Sequence, residues 1–186
     1  MSINDILQQT EKKMESSIEA LRRELISIRT GRASAGLVEH IRVDYGGTML
    51  PLNQMGNITV PEARLIVIQP WDRGAIGLIE KAIQKSEIGI NPASDGTVIR
   101  LAIPPLSQER RVELTKMVHK RVEDDKIAIR NLRRDSLENI KKLEKDKEIS
   151  QDESKRAQER LQKVTDSFTA TADKLRKDKE TELLTS

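Results

Sequence analysis

The residues of this chain best suited to specific chemistry are five basic side chains between positions 126 and 141, namely Lys126, Arg130, Arg133, Arg134 and Lys141. On a helix they project into one arc of about 100° that extends for about 22 Å along the axis. The acids within the interval, Asp135 and Glu138, project elsewhere. Arginine binds phosphate oxygens in pairs, and cations spaced along a helix can follow a nucleic-acid strand. The strip therefore indicates phosphate binding; an ordinary solvated helix face is the alternative.

No arrangement typical of an enzyme accompanies this strip. The two histidines, His40 and His119, lie far apart in the sequence, and there is no cysteine. Asp124 and Asp125 are adjacent, and neighbours on a helix point about 100° apart, so they do not form a catalytic carboxylate pair. Motifs of zinc proteases, P-loop proteins and serine hydrolases are absent. We predict no enzyme, no metal and no cofactor.

Glycine and proline divide the chain into two kinds of segment. All nine glycines lie between Gly31 and Gly96, and all six prolines lie between Pro51 and Pro105. Residues 1–30 and 106–186 therefore contain neither helix breaker. We predict a helical domain built from residues 1–30 and 106–186, with residues 31–105 inserted as a small α/β domain.

Composition restricts the environment and the partners. The 186 residues include 33 Lys and Arg against 30 Asp and Glu, a net charge of +3, which argues against holding nucleic acid by bulk charge alone. The longest aliphatic run, Leu65–Ile68, is far too short to span a membrane. The first residues are polar and lack a secretory apolar stretch, so we expect a cytoplasmic protein without a membrane partner.

Apolar residues recur every three or four positions in three segments, as expected of amphipathic helices. Gly31 suits a C-terminal cap for the first helix, Ser107 an N-cap for the second, and Ser150 with Glu153 a capping box for the third. No helix can bury its own stripe, so the three helices must form one bundle. The second predicted helix can extend over the whole of residues 106–149. A helix of this length predicts an elongated domain. The stripes contain Leu7, Met14, Ile18, Leu21, Leu25 and Ile28; Leu114, Val118, Val122, Asp125, Ile129, Leu132, Ser136, Ile140 and Leu143; and Ala157, Leu161, Val164, Phe168, Ala172 and Leu175.

The inserted segment reads as short strands and one helix. Gly46 and Gly47 predict a hairpin turn, and a second turn is expected at residues 61–64. Residues 74–85 form an amphipathic helix in this interpretation, and residues 97–103 form the last strand. Linkers near Gly31 and near Pro104 and Pro105 connect the insertion to the bundle, and such paired linkers predict a hinge.

Several motifs in this order resemble the ribosome recycling factor family. They are residues 28–34 (IRTGRAS), 95–100 (DGTVIR), 104–111 (PPLSQERR), 127–135 (IAIRNLRRD) and 145–150 (KDKEIS). The resemblance covers essentially the whole chain, including length and segment order. It implies an α+β protein in which an elongated three-helix bundle carries an inserted small α/β domain. The whole is L-shaped and hinged, with an outline similar to transfer RNA.

The resemblance also implies a function and a site. Members of the family act after translation termination as monomers that bind the large ribosomal subunit across the transfer-RNA sites. With elongation factor G and GTP they split the ribosome and release it from messenger RNA, without enzymatic activity of their own. Arg133 matches the family arginine that is important for ribosome binding. Arg130 and Arg134 fit the same motif, and Arg29, near the expected hinge, is a further candidate for binding ribosomal RNA.

Two other classes of function are compatible with the residues alone. A helical protein-interaction scaffold would pair its stripes with another chain, and it predicts a dimer in which the basic strip is incidental. An enzyme with its active site hidden in residues 31–105 is a minor alternative, because no nucleophile, base and metal ligands converge there.

Overall fold

The computed structural model describes residues 1–28 and 30–185 and divides into two compact units. The helical unit comprises Met1–Leu25 and Val112–Thr181, and the inserted unit comprises Ile26–Arg111 and Glu182–Ser186. The predicted fold class is confirmed in its main features: helical elements from both ends of the chain, and a small antiparallel sheet domain inserted between them. Arg29, one of the predicted site residues, lies outside the described residues.

Long helices account for the two ends of the chain. Helix α1 spans Ile3–Ser27, α2 spans Ile76–Lys85 within the insertion, α3 spans Gln108–Lys145 and α4 spans Gln151–Thr185. The N-caps of the last two are as predicted. The Ser107 hydroxyl accepts from the Arg110 amide at 3.2 Å, and the Ser150 hydroxyl accepts from the Glu153 amide at 3.0 Å.

Helix α3 is shorter than the sequence predicted because a tight turn ends it. Lys147 adopts a left-handed φ of 60°, the conformation in which glycine usually ends helices. The Glu148 amide donates to the Leu143 carbonyl at 2.9 Å, and the Lys147 amide donates to the Glu144 carbonyl at 3.0 Å. These two bonds form a Schellman motif that satisfies the last carbonyls of α3. The sequence did not predict this motif, because the residue in the left-handed conformation is lysine and not glycine.

The apolar stripes of α1, α3 and α4 are buried together, as the bundle requires. One cluster joins Ile6 and Leu7 of α1, Ile140 of α3, and Ala157 and Leu161 of α4. Further along, Met14, Ile129 and Ala172 are fully buried. Burying an aliphatic side chain contributes about 2 kcal/mol, so this shared seam is the main stabilising contribution to the helical unit.

The inserted unit contains two antiparallel sheets. Strands β1 (Arg42–Tyr45) and β2 (Thr48–Pro51) form the predicted hairpin. Its turn residues Gly46 and Gly47 both have positive φ, 60° and 86°, as a tight hairpin turn requires. The second sheet has the order β3-β4-β6-β5 and contains β3 (Gly56–Glu62), β4 (Leu65–Pro70), β5 (Ala93–Ser94) and β6 (Ile99–Ala102).

Helix α2 contributes to the core of the inserted unit. Ile66 of β4 pairs with Leu101 of β6, and Ile68 pairs with Ile99, so all four buried side chains lie on one face of the sheet. The same core contains the apolar face of α2, namely Ile76, Ile79 and Ile83.

Three sequence predictions differ from the structure in detail. Helix α1 ends at Ser27, so Gly31, with φ 79°, belongs to the connecting segment and is not the helix cap. Strand β3 continues through Pro61 to Glu62, because an irregularity between Thr59 and Glu62 accommodates the proline. The last strand starts only at Ile99, because the amides of residues 97 and 98 both donate to the Asp95 side chain at 2.9 Å.

Asp125 interrupts the apolar stripe of α3 and is partly buried. One of its carboxylate oxygens accepts a hydrogen bond from the Ser17 hydroxyl of α1, and the other is buried without a partner among the described residues. Burial raises the pKa of Asp125; the Ser17 hydrogen bond opposes this rise, and the nearby charge of Glu24 adds to it. The carboxylate is thus a destabilising element in the seam of the bundle.

We expect Gly56→Ala to destabilise the inserted unit. A Cβ atom at Gly56 would lie 2.5 Å from the Gln69 carbonyl oxygen and 2.9 Å from the Pro70 Cα, so the paired strand must move. The expected loss in the free energy of unfolding is about 2 kcal/mol. Gly77→Ala in α2 is the control, because its Cβ meets nothing within 4 Å and alanine favours helix by about 0.5 kcal/mol. Denaturant unfolding followed by Trp71 fluorescence measures the stability of both variants. Equal unfolding midpoints for Gly56→Ala and Gly77→Ala would contradict the predicted clash.

We expect Asp125→Asn to stabilise the helical unit at neutral pH by about 1 kcal/mol, because it removes a partly buried charge. The pKa of Asp125 is higher in the folded than in the unfolded protein, so the folded protein binds the carboxyl proton more tightly. The destabilisation by the charged carboxylate therefore disappears as the pH falls through the folded-state pKa towards 3.8. The difference between parent and variant therefore narrows towards pH 4. Thermal unfolding between pH 4 and pH 7 measures it. Asp124→Asn, at an exposed neighbour, is the control, and a pH-independent difference would contradict the argument.

Candidate nucleic-acid interface

Helix α3 carries all five cations of the predicted basic strip, but their surroundings differ. Arg130, Arg134 and Lys141 are exposed, whereas Lys126 and Arg133 are partly buried. The helix fixes their spacing, and the packing of α4 against α3 decides which of them face solvent. The packing of α4 therefore divides the predicted strip into cations that are exposed and cations that are partly buried.

Lys126 turns towards α4. Its ammonium group lies 3.1 Å from the Asp173 carboxylate, and its side chain is only 17% exposed. Asp173 also lies 3.9 Å from Arg176, which in turn pairs with Glu180 at 3.2 Å. Lys126 thus joins a chain of charges that connects the two helices, and its charge is largely neutralised. The structure places it away from the exposed part of the strip.

Arg130 is paired more weakly and remains accessible. Its guanidinium group lies 3.5 Å from the Glu123 carboxylate, and both side chains are more than half exposed. Glu123 lies seven residues earlier on the same helix, outside the interval in which the strip is free of acids. Exposed pairs of this kind contribute at most about 1 kcal/mol. Arg130 can therefore exchange this carboxylate for a phosphate group.

Arg133 contacts α4. Its guanidinium group donates to the Gln162 side-chain oxygen at 3.4 Å, and the Gln162 amide donates to Asp166 at 2.8 Å. This contact is long and involves one terminal nitrogen of the guanidinium group, and no carboxylate of the described residues forms an ion pair with Arg133. The sequence could not reveal Gln162, because only packing brings α4 beside this position.

Arg134 and Lys141 are the most open members of the strip. Both are exposed, and neither forms an ion pair with any part of the chain that the structure describes. Beside them Ile127, an apolar residue that is 46% exposed, borders the arc. The accessible part of the strip thus consists of Arg130, Arg133, Arg134 and Lys141, and it extends for about 17 Å along α3.

The predicted hinge residues lie within the inserted unit, between the end of α1 and the start of α3. The borders between the two units fall instead at Leu25/Ile26 and Arg111/Val112. Gly31 is buried with φ 79°, a conformation that residues with a side chain rarely adopt. Pro104 and Pro105 are exposed and separate β6 from the Ser107 cap of α3. Proline lacks an amide hydrogen, so β6 cannot continue its ladder through them.

Across residues 1–28 and 30–185, no group of three or more histidine, cysteine, aspartate or glutamate side chains is arranged to hold a metal ion. His40 lies beside Glu39, and His119 lies beside Glu180 of α4. No described helix is long and apolar enough to cross a membrane.

The chain is similar to known proteins over almost its entire length. The family model described as ribosome recycling factor matches residues 21–184. The ribosome-recycling factor of Dehalococcoides mccartyi strain 195 is 60% identical over 181 residues, which cover 97% of this chain and 98% of that protein. That of Carboxydothermus hydrogenoformans is 55% identical over 182 residues, 98% of each chain.

Solved structures give the same result. A solution structure of a ribosome recycling factor has a TM-score of 0.83 and 44% identity, covering 100% of this chain and 99% of that one. A second match, with a TM-score of 0.70 and 43% identity, covers 99% of this chain and all of that one. It belongs to models of the T. thermophilus recycling factor and the E. coli elongation factor G bound to the E. coli post-termination complex.

Proposed function

This chain belongs to the ribosome recycling factor family, and from that premise we propose that it splits post-termination ribosomes together with elongation factor G and GTP. In this proposal it binds the large subunit across the transfer-RNA sites and acts as a cytoplasmic monomer. The family consists of translation factors rather than enzymes, so the GTP is hydrolysed by the partner. The observation that carries the proposal is the family match over residues 21–184, which includes most of both units.

Ribosomal RNA binding is assigned to the accessible part of the basic strip. Arg130, Arg133 and Arg134 belong to the motif that the chain shares with the family, and the first and last of them are exposed on α3. Planar guanidinium groups bind phosphate with paired hydrogen bonds, which lysine cannot make. Arg133 contacts the neutral Gln162 side chain and no carboxylate of the described residues, so its charge remains available for phosphate.

Splitting requires force to be transmitted through the helical unit. The backbone hydrogen bonds of α1, α3 and α4 lie within each helix, and their shared apolar seam resists bending. We assign the hinge to the segments around Gly31 and around Pro104 and Pro105. Elongation factor G then moves the inserted unit while the strip holds the helical unit on the large subunit.

A splitting assay tests the proposal directly. The protein is mixed with post-termination ribosomes, elongation factor G and GTP, and subunit separation is followed by light scattering, with each component omitted in turn. A fall in scattering that needs both factors supports the proposal. No fall with ribosomes of any related bacterium would refute it.

We expect Arg133→Ala to weaken ribosome binding about tenfold, because it removes a charge-assisted contact to phosphate. The fold should persist, since the side chain lies at the margin of the seam. Lys142→Ala is the control: it removes the same charge from an exposed position on another face of α3. Binding is measured by sedimentation with large subunits, and folding by circular dichroism. Unchanged binding, or equal loss in the control, would refute the assignment.

We expect Gly31→Val to slow splitting at least about fivefold while changing ribosome binding less than about twofold, because a β-branched residue opposes the positive φ and stiffens the connection. Gly89→Val is the control for backbone strain, since Gly89 has a similar φ of 68°; unlike the buried Gly31, it lies in an exposed loop of the inserted unit. Both variants are compared in the splitting and sedimentation assays. Equal loss of binding and splitting, or slow splitting by Gly89→Val, would contradict a hinge at Gly31.

A further inference from the structure

A groove on the inserted unit lies between the β1–β2 hairpin and α2. Its volume is about 480 Å³. Its apolar surface comes from Ile41, Met49, Leu78 and Ala82. Met49 is 52% exposed and Leu78 is 38% exposed. Two large apolar side chains open to solvent in one concave surface offer apolar contacts to a protein partner, and methionine adapts readily to different partners.

The rim of this groove is positively charged. Arg42, Lys81 and Lys85 line it, and none of the three forms an ion pair with any described residue. The groove contains one acid, Asp44, whose carboxylate accepts the Gly47 amide at 3.1 Å and so belongs to the hairpin turn. The groove therefore combines an apolar floor with a net positive charge, since three cations line it against one carboxylate.

We propose that this groove binds an acidic segment with apolar side chains on elongation factor G. The inference rests on the proposed function, which supplies the partner. Charge complementarity carries it: acidic side chains of the partner pair with Arg42, Lys81 and Lys85, while its apolar side chains cover Met49 and Leu78. Complementary charge around an apolar centre steers association and fixes register.

Ribosomal RNA suits the groove less well than protein does. Single-stranded RNA is recognised mainly by stacking of bases on aromatic rings or guanidinium planes, with phosphate contacts along the backbone. No aromatic residue lines the groove, and its floor is aliphatic and thioether. The strip on α3 has the opposite character, since arginines dominate it and its apolar residue lies at the border.

The first experiment neutralises the rim. In Lys81→Gln with Lys85→Gln, we expect the concentration of elongation factor G that gives half-maximal splitting to rise about fivefold, with ribosome binding of the factor unchanged. Arg64→Gln with Arg73→Gln is the matched control: it removes the same charge from exposed positions of the inserted unit outside the groove. Met49→Thr tests the apolar floor without changing the charge. It should raise the concentration of elongation factor G that gives half-maximal splitting about threefold.

The outcomes separate this inference from the proposed function. If the parent does not split ribosomes, the proposed function fails. If the parent splits and the Lys81 and Lys85 variant needs no more elongation factor G, only the groove assignment fails. It also fails if the matched control has the same effect, or if ribosome binding weakens in parallel, which would indicate RNA as the occupant. Circular dichroism confirms that each variant is folded.

A cross-link gives a readout that does not depend on activity. A photoreactive phenylalanine derivative replaces Leu78 in the full chain, which is irradiated with purified post-termination ribosomes, elongation factor G and a non-hydrolysable GTP analogue. A product that contains elongation factor G supports the proposal. Products that contain only ribosomal RNA or ribosomal proteins overturn it.

Discussion

The joint burial of three apolar stripes is the constraint on which the rest of this structure depends. Helix α1 comes from the start of the chain, and α3 and α4 come from its end. Met14, Ile129 and Leu161 are buried only because these helices meet. The residues between α1 and α3 are therefore connected to the bundle at both ends and need a core of their own. The second core, built by α2 and the sheet around Ile66 and Leu101, meets that requirement.

The same packing selects which charges remain available. A helix distributes its cations by sequence spacing alone, but the neighbouring helix decides their partners. Asp173 of α4 neutralises Lys126, whereas Gln162 contacts Arg133 without adding a negative charge. A neutral partner leaves the charge of a guanidinium group available for an external anion, whereas a carboxylate partner offsets the charge of the cation it pairs with. Arg133 is consequently better prepared for phosphate than Lys126 is.

The two units present surfaces of different chemistry. On α3 arginines predominate, and such a surface favours phosphate. In the inserted unit the groove beside α2 has an apolar floor and a cationic rim, which favours an acidic protein segment. In the proposed mechanism the α3 surface holds RNA while elongation factor G moves the inserted unit, and these two tasks require the two kinds of surface.

The sequence by itself determined the helices, the insertion and the hairpin, because these depend on local signals: apolar spacing, the caps at Ser107 and Ser150, and the positive φ of Gly46 and Gly47. It did not reveal the end of α3 at Lys147, since lysine is an unusual residue for a left-handed cap. Tertiary structure alone decided the pairing of Lys126, the support of Arg133 and the surroundings of Asp125. These depend on side chains far apart in the chain, whose distances are fixed only when the helices pack.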